Sequence, residues 1–301
     1  MKTLKFIVMA LFAVVLSMNF TACSSSDGDD DGGQENQENQ GYQGNQGGNS
    51  NYVQKYITAQ QSEYVNSRNE NVKEQFNVSY NAENLLTEID YRYYATNNKT
   101  FDETQANWKF NYDLFNISEL VVRGGGTIGG MSNYSQYGNS WTFVKNEKGH
   151  IIAITQGKTD TYTFAYDEND HLVGSVRDYS GSKTTTVFTW QNDNLVEIKE
   201  ESSGGYFRTY SFKYGNTTNK WNIQPCRCLS IEPFNNYNTN IIMSSGLFGK
   251  LSKNLPTSIS YNFIPAYESW IKSYTYEVDE QGYVRSATDS DGVCTTFSYK
   301  E

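Results

Sequence analysis

Aromatic and polar residues alternate along much of the chain beyond residue 51. The segment 161–166 reads Thr-Tyr-Thr-Phe-Ala-Tyr, and the segment 209–214 reads Thr-Tyr-Ser-Phe-Lys-Tyr. Successive side chains of a β-strand point to opposite faces of a sheet, so a period of two predicts strands that have one aromatic face.

These strands fall into a repeating hairpin pattern. An aromatic-x-aromatic triplet is followed four residues later by Asn, Asp or Gly, and two residues further by an apolar residue. The repeats that begin at Phe164, Phe188 and Phe212 are 24 residues apart. A constant period of this size indicates stacked supersecondary units, and Asn, Asp and Gly tolerate the positive φ of a short hairpin loop. Complete or partial repeats also begin at Val78, Phe110, Phe143, Tyr276 and Phe297.

We therefore predict one all-β domain over residues 51–301, a long antiparallel meander of about sixteen strands. A sheet of that size tends to curl, split or close into a barrel. The segment 216–269 departs from the repeat, since it holds prolines, two cysteines and a glycine-rich apolar stretch. We predict that it is an irregular insertion, with one short helix near 238–248, that covers a sheet face or plugs a barrel mouth.

The N-terminal residues have the features of an export signal. Lys2 and Lys5 precede an apolar run too short to span a membrane, and a small residue precedes Cys23, which resembles a bacterial lipobox. We expect residues 1–22 to be a lipoprotein signal peptide and Cys23 to carry the lipid (palmitate). The rest of 23–50 is rich in Ser, Asp, Gly, Gln and Asn, which predicts a disordered linker.

The location of the anchored domain follows from the same segment. The acidic run after Cys23 resembles the surface-export signal of Bacteroidetes lipoproteins, which implies display on the outer membrane at the cell surface. A solvated spacer on a lipoprotein that faces the periplasm is the alternative, because a run of like charge is disordered in either case.

Charge limits the partners of the domain. The formal net charge is −10, removal of Lys2 and Lys5 makes it −12, and six acids in the linker leave about −6 on the domain. An acidic domain with scattered Lys and Arg lacks the basic footprint of a nucleic-acid-binding protein or of a patch for anionic lipid. We expect membrane contact through the lipid anchor, a glycan or protein partner, and no nucleic acid.

Cysteine and histidine offer few ligands for a metal. Cys226, Cys228 and Cys294 allow one disulfide, from Cys294 to either of the others, in an oxidising compartment. A Cys-x-Cys pair with a distant third cysteine could alternatively hold zinc. His150 and His171 follow turn residues in their repeats, where we expect them to be exposed. We predict no metal and no cofactor.

Motifs of common enzymes are missing from the sequence. It has no Gly-x-Ser-x-Gly elbow and no His-Glu-x-x-His motif. The glycine run 124–130 lacks the Lys of a phosphate loop, and we interpret it as a flexible loop or hairpin connection. We assign no catalytic residues, although two carboxylates across a cleft, as in a glycoside hydrolase, are compatible with the sequence.

The aromatic residues are the feature that bears most on function. Many of the 24 tyrosines and five tryptophans are expected to fill the inner face of the sheet. Rings that are exposed could instead bind a glycan or a peptide. The candidates near loops or strand ends are Trp108, Trp141, Trp221 and Trp270. The opposite face carries Lys, Glu, Thr and Ser, and the mean hydropathy is −0.68, which favours a soluble sheet over a membrane-spanning one.

The tyrosine-aspartate turns, such as Tyr166-Asp167 and Tyr112-Asp113, look like YD-type hairpin repeats. With the Cys23 anchor, its acidic tail and the segment 248–256, residues 51–301 resemble a Bacteroidetes lipoprotein family of unknown function with a porin-like fold. The resemblance implies a curled, many-stranded sheet and brings no activity. The leading hypothesis is a non-catalytic binding or interaction lipoprotein at the cell surface. A secreted glycan hydrolase and a structural scaffold of the envelope are the alternatives.

Overall fold

The computed structural model describes residues 56–128, 132–220, 243 and 245–300. These residues form sixteen antiparallel strands in a single meander, and the last strand returns to pair with the first. The predicted all-β meander is confirmed, and its sheet closes into a barrel. The strands are β1 (Ile57–Val65), β2 (Asn71–Tyr80), β3 (Leu86–Thr96), β4 (Thr100–Asn111), β5 (Asn116–Thr127), β6 (Ser132–Lys145), β7 (Ile151–Gln156), β8 (Asp160–Tyr166), β9 (Leu172–Tyr179), β10 (Ser182–Gln191), β11 (Asn194–Ser202), β12 (Phe207–Thr218), β13 (Asn254–Ile264), β14 (Glu268–Val278), β15 (Val284–Asp289) and β16 (Cys294–Tyr299).

Alternate side chains of each strand point into the barrel. In β8, for example, Asp160, Tyr162 and Phe164 are buried, whereas Thr163 between them is exposed. Burial of one large apolar side chain stabilises the fold by about 1.5–3 kcal/mol. A register shift of one residue would move the aromatic side chains of a strand from the interior to the solvent-facing side, so the alternation fixes the strand register.

The described residues contain no helix with the length and apolar character that a membrane span requires.

Side chains of Asn and Asp organise the hairpin turns at one end of the barrel. The Oδ1 atom of Asp279 accepts the backbone N–H groups of Gln281 and Tyr283, at 3.0 and 2.8 Å. The same arrangement begins the turns at Asn81, Asn146 and Asp167. Positive φ angles then occur at the residues that the hairpin pattern predicts, namely Asn84, Gly149, Asp170 and Gly282.

Two hairpins depart from that prediction. Asn116 and Asn194 are the first residues of β5 and β11 and not turn residues. Positive φ falls earlier, at Phe115 and at 192–193. The physical reason is loop length, because only 112–115 and 192–193 connect the strands in these two hairpins.

The second aromatic residue of most repeats links its hairpin to the preceding strand. The hydroxyl of Tyr166 in β8 donates to the carbonyl oxygen of Ile151, the first residue of β7, at 2.6 Å. We call these bonds the hairpin clasps. They give a side-chain donor to backbone carbonyl groups at or near the first residue of a strand. The other clasps are Tyr80 to Ile57, Tyr112 to Leu86, Trp190 to Leu172, Tyr214 to Leu195 and Tyr299 to Val284. In the repeat that begins at Tyr276 the first aromatic residue forms the clasp, which joins Tyr276 to Pro256.

The segment 245–253 packs into the end of the barrel that carries these turns. Leu247, Phe248 and Leu251 are buried in the main core cluster, and the ring of Phe248 meets that of Phe164 edge-on with centroids 5.0 Å apart. Backbone bonds join the segment to three turns, among them Ile151 N–H to the Leu247 carbonyl and Lys250 N–H to the Asp170 carbonyl. The segment therefore plugs this end, as the second of the two predicted arrangements has it.

The irregular insertion is shorter than the predicted 216–269. Strand β12 continues to Thr218, and β13 already begins at Asn254. Residues 254–264 are a strand because Ile259, Tyr261 and Phe263 alternate with polar residues and pair with β12. The predicted helix near 238–248 lies largely outside the described residues.

The glycine run is another correction. Residues 124–127 belong to strand β5, and 124–126 pair with both β4 and β6, whereas 129–130 lie outside the described residues. Glycine is accommodated there because neighbours occupy the space of its side chain. A Cβ atom at Gly124 would collide with the ring of Tyr134.

The two histidines are buried and not exposed, with 6% and 4% of their surfaces accessible. His150 lies against the ring of Tyr166, with centroids 5.0 Å apart. The ring of His171 stacks on that of Trp190, with centroids 4.3 Å apart and an angle of 14° between the ring planes. The sequence position after a turn residue suggested exposure, but these positions fold back over the aromatic clasp residues.

Candidate ligand-binding site in the open half of the barrel

The inside of the barrel is divided into two halves. The filled half lies beside the turns 81–85, 146–150 and 167–171. Here the core cluster and the segment 245–253 occupy the interior. The open half lies beside the opposite turns, such as 203–206 and 265–267.

Side-chain exposure along single strands shows this division. On the inner face of β5, Ile117 and Val121 are buried, but Arg123 is exposed. On the inner face of β6, Trp141 is 2% accessible and Tyr137, four residues nearer the other end, is 41% accessible. Since these residues share a face, solvent enters the barrel from the open end.

Three aromatic side chains from neighbouring strands line one wall of the open half. Tyr210 in β12 pairs with Tyr261 in β13, which pairs with Trp270 in β14. The ring centroids of Tyr210 and Tyr261 are 4.9 Å apart, and those of Tyr261 and Trp270 are 5.2 Å apart and stacked at 26°. We call these three residues the aromatic row. All three are partly exposed on the inner face.

A row of charged residues lies beside the aromatic row, one step nearer the open end. Glu200 in β11 pairs with Arg208 in β12, and Arg208 Nη1 donates to Glu200 Oε1 at 2.9 Å. The Arg208 guanidinium also lies 5.0 Å from the ring centroids of both Tyr206 and Phe263. Two aromatic contacts and one ion pair thus hold this guanidinium in a single orientation.

A second ion pair continues the polar wall. Arg177 binds Asp160 through two bonds, Nε to Oδ1 at 3.0 Å and Nη2 to Oδ2 at 2.8 Å. Asp160 is buried, and Arg177 lies over the rings of Tyr162 and Tyr179. Planar two-point pairing of this kind is among the strongest charge-assisted contacts.

Burial changes the acid–base properties of this wall. Burial raises the pKa of Tyr210 to about 12, with a smaller contribution from Tyr261. Burial also raises the pKa of Glu200, although Arg208 opposes the change. The tyrosine hydroxyl groups of the row are therefore neutral at physiological pH and can both donate and accept hydrogen bonds.

The structure separates the predicted ligand-binding tryptophans. Trp270 belongs to the aromatic row, but Trp108 and Trp141 are buried in the core at 1% and 2% accessibility. Trp108 Nε1 donates to Glu119 at 3.1 Å inside the barrel. Their inward positions in long strands, rather than at strand ends, account for this correction. Trp221 lies outside the described residues.

The remaining predicted sites are only partly within the described chain. Cys294 begins β16 and has an exposed thiol. Cys23, Cys226 and Cys228 lie outside the described residues, so the lipid site and the disulfide stay predictions. Among the described residues no group of three or more His, Cys, Asp or Glu is arranged to hold a metal ion.

Comparison with known proteins agrees with the fold. Residues 129–286 match a family described as a domain of unknown function (DUF4595) with porin-like fold. The chain belongs to this family. None of the curated proteins matches it.

Among the solved structures that are similar to the chain, two are porin-like proteins from Bacteroides. A porin-like protein from Bacteroides uniformis has 16% identity and a TM-score of 0.60, over 81% of this chain and 98% of its own. A porin-like protein from Bacteroides vulgatus has 9% identity and a TM-score of 0.39, over 82% of this chain and 99% of its own. The first likeness shows the fold alone.

The family match includes the whole aromatic row and the Glu200–Arg208 pair, since both lie within 129–286. Sequence reasoning found only Trp270 of this set. Tyr210 was visible as part of a repeat, but Glu200, Arg208 and Tyr261 are ordinary strand residues in the sequence. Only the register of β11 to β14 brings them to one wall, and that register spans the long insertion between β12 and β13.

Proposed function

We propose that this protein is a non-catalytic binding lipoprotein of the outer membrane that takes up a glycan or a peptide in the open half of its barrel. One observation carries the proposal, namely the asymmetry of the barrel interior. One half is filled by the core and the segment 245–253, and the other half exposes an aromatic row beside fixed charged groups. Concave sites with apolar walls and a few oriented polar groups are typical of ligand binding.

A water-facing barrel is the setting that we propose for this site. The outer face of β3 carries Asp90 and Arg92. Asn107 of β4 lies directly opposite Asp90 on the same face. Each Lys or Arg that faced lipid at the bilayer centre would cost about 2–4 kcal/mol. These charged and polar outward residues therefore support a barrel held at the membrane by lipid on Cys23.

The anchor and the location can be tested on cells. Labelled palmitate should be incorporated into the wild-type protein and not into a Cys23→Ala variant. Protease added to intact cells should degrade the wild-type protein if it is displayed at the cell surface. Protection from that protease until the outer membrane is opened would assign it to the periplasmic face instead.

Ion pairing in the open half favours binding over catalysis. Asp160 is paired with Arg177, and Glu200 is paired with Arg208. A glycoside hydrolase would require one of two neighbouring carboxyl groups to act as an acid. The hydrolase and the scaffold are the alternatives that the following experiment addresses.

The test is a binding screen of the full-length protein against glycans and peptides, with product analysis. Trp270→Ala removes one ring of the aromatic row, and Ile271→Ala is the matched control, because Ile271 is the next residue of β14 and faces outward with 71% exposure. We expect saturable binding that Trp270→Ala weakens and Ile271→Ala preserves, without product. Released product would support the hydrolase, and no binding at all would support the scaffold.

A further inference from the structure

We infer that the aromatic row and the Glu200–Arg208 pair form a subsite for one sugar ring of an uncharged glycan. This inference rests on the proposed binding function and names the ligand class for it. Its parts are the shape of the wall, the hydrogen-bonding groups beside it, the charge of the site and the closure of the barrel.

The aromatic row supplies an apolar surface of the right kind. Tyr261 and Trp270 stack with centroids 5.2 Å apart, and Tyr210 meets Trp270 edge-on at 6.4 Å. The three rings thus form a continuous patch that remains partly open to the interior. A pyranose ring has one face of C–H groups, which can cover such a patch while its hydroxyl groups point sideways.

The Glu200–Arg208 pair supplies an acceptor and a donor next to each other. The Arg208 side chain is partly exposed, and its guanidinium carries further N–H donors besides the one that Nη1 directs at Glu200. A sugar hydroxyl can donate one hydrogen bond and accept two. Two adjacent hydroxyl groups can therefore bind the carboxylate and the guanidinium at once, without a charge of their own.

The charge of the site argues against an anionic glycan. The inward cations that line this wall already have acidic partners. Arg177 binds Asp160, and Lys272 lies 2.7 and 2.9 Å from Asp289 and Asp291. A uronate or a phosphate would have to displace a carboxylate from its cation, and the charge of about −6 on the domain would repel it further.

The closed barrel argues against an extended peptide. Peptides commonly bind a β-protein by adding a strand to an open sheet edge. Each of the sixteen described strands is already paired on both sides. A glycan needs no backbone edge, since it binds by stacking and by side-chain hydrogen bonds.

The experiment is calorimetric titration of the full-length protein with three classes of probe. These are neutral gluco-, manno- and xylo-oligosaccharides, an oligogalacturonate of the same length, and an extended peptide. The variants are Trp270→Ala, Arg208→Lys and Glu200→Gln, with Ile271→Ala and Arg92→Lys as controls on the outer face. Arg208→Lys keeps the charge but loses the planar fork of donors. Melting curves verify that each variant folds, and Trp270→Phe replaces Trp270→Ala if that variant does not.

We expect a neutral oligosaccharide to bind and each of the three site variants to weaken it about tenfold or more, as loss of a central contact does. The controls should change affinity less than about twofold, and salt should have little effect, because the ligand carries no charge. Binding of the oligogalacturonate or the peptide alone would overturn this inference and leave the proposed function standing. A neutral glycan whose affinity ignores all three variants would overturn the subsite. No binding by any probe would contradict both proposals.

Discussion

His150 shows how a single residue can couple the fold to pH. Burial against Tyr166 lowers the pKa of His150, Asp170 opposes this change, and Lys148 and Lys250 add to it. A histidine whose pKa is lower in the folded state binds protons less well there than in the unfolded chain. Its contribution to stability is therefore complete above the unfolded pKa, near 6.5, and is lost as the pH falls below that value.

The corresponding prediction concerns His150→Leu. Leucine fits this turn, because Leu85 holds the equivalent position in another hairpin. The backbone N–H of Leu85 donates to Asn81 Oδ1, just as the backbone N–H of His150 donates to Asn146 Oδ1. The free energy of unfolding of the wild-type protein should decline between pH 7 and pH 5, and the variant should lose part of that decline. Urea unfolding at several pH values measures it. Parallel curves for the two proteins would show that His150 is not the titrating group.

Hairpin clasps are the devices that act at the level of the element. Seven of the eight described strands that run toward the turns 81–85 and 146–150 have a Tyr or Trp near their last residue, or directly after it, whose side chain donates to a backbone carbonyl of the preceding strand. In β6 the equivalent residue is Lys145, whose Nζ atom lies 4.8 Å from the ring centroid of Tyr112. The aromatic residues of the repeat therefore form a hydrogen bond in addition to packing in the core.

A single substitution that deletes one hydroxyl group removes a hairpin clasp. Tyr166→Phe deletes the hydroxyl that donates to the Ile151 carbonyl at 2.6 Å. We expect a loss of about 1–3 kcal/mol, because the variant loses a hydrogen bond to the carbonyl group of a fully buried residue. Tyr134→Phe on the exposed outer face is the control and should change stability by less than about 0.5 kcal/mol. Equal unfolding free energies for the two variants would contradict a stabilising role for the clasp.

The plugging segment is a second element whose contribution can be isolated. Phe248→Ala opens a cavity beside Phe164. If the segment and the barrel unfold together, the free energy of unfolding should fall by about 3–5 kcal/mol. If the segment 245–253 detaches alone, the amides of Ile151 and Lys250 should exchange faster while the strands stay protected. Hydrogen exchange distinguishes the two cases, and unchanged exchange together with unchanged stability would contradict the packing described.

The sequence predicted the elements better than their assembly. Alternation placed β8, β10 and β12 correctly, because each carries its own period of two and its own turn. The alternation was not recognised in β13, which follows the insertion and proline residues. The position after a turn residue wrongly suggested that the two histidines are exposed. Burial of His150 and His171 depends on rings contributed by neighbouring residues in space, which no local pattern encodes.

At the scale of the whole molecule, the proposed binding function depends on the two unequal halves of the barrel. Buried side chains of the described residues, with those of the segment 245–253, fill one end of the interior, whereas inward side chains toward the other end, such as Tyr137, remain accessible. What stays open contains Trp270, found from the sequence, and Arg208, which pairing alone brings beside it. Strand register over distant parts of the chain is a tertiary property, which is why the site was only partly predictable.

Hydroxyl-radical footprinting of the full-length protein, read by mass spectrometry, tests this account most directly. It compares the solvent exposure of aromatic side chains that all point into the barrel. We predict rapid modification of Tyr137 and Trp270 in the open half, and protection of Trp108 and Trp141 in the filled half. Protection of Trp270 equal to that of Trp108 would mean that the interior is closed at both ends, and the binding site proposed here would be wrong.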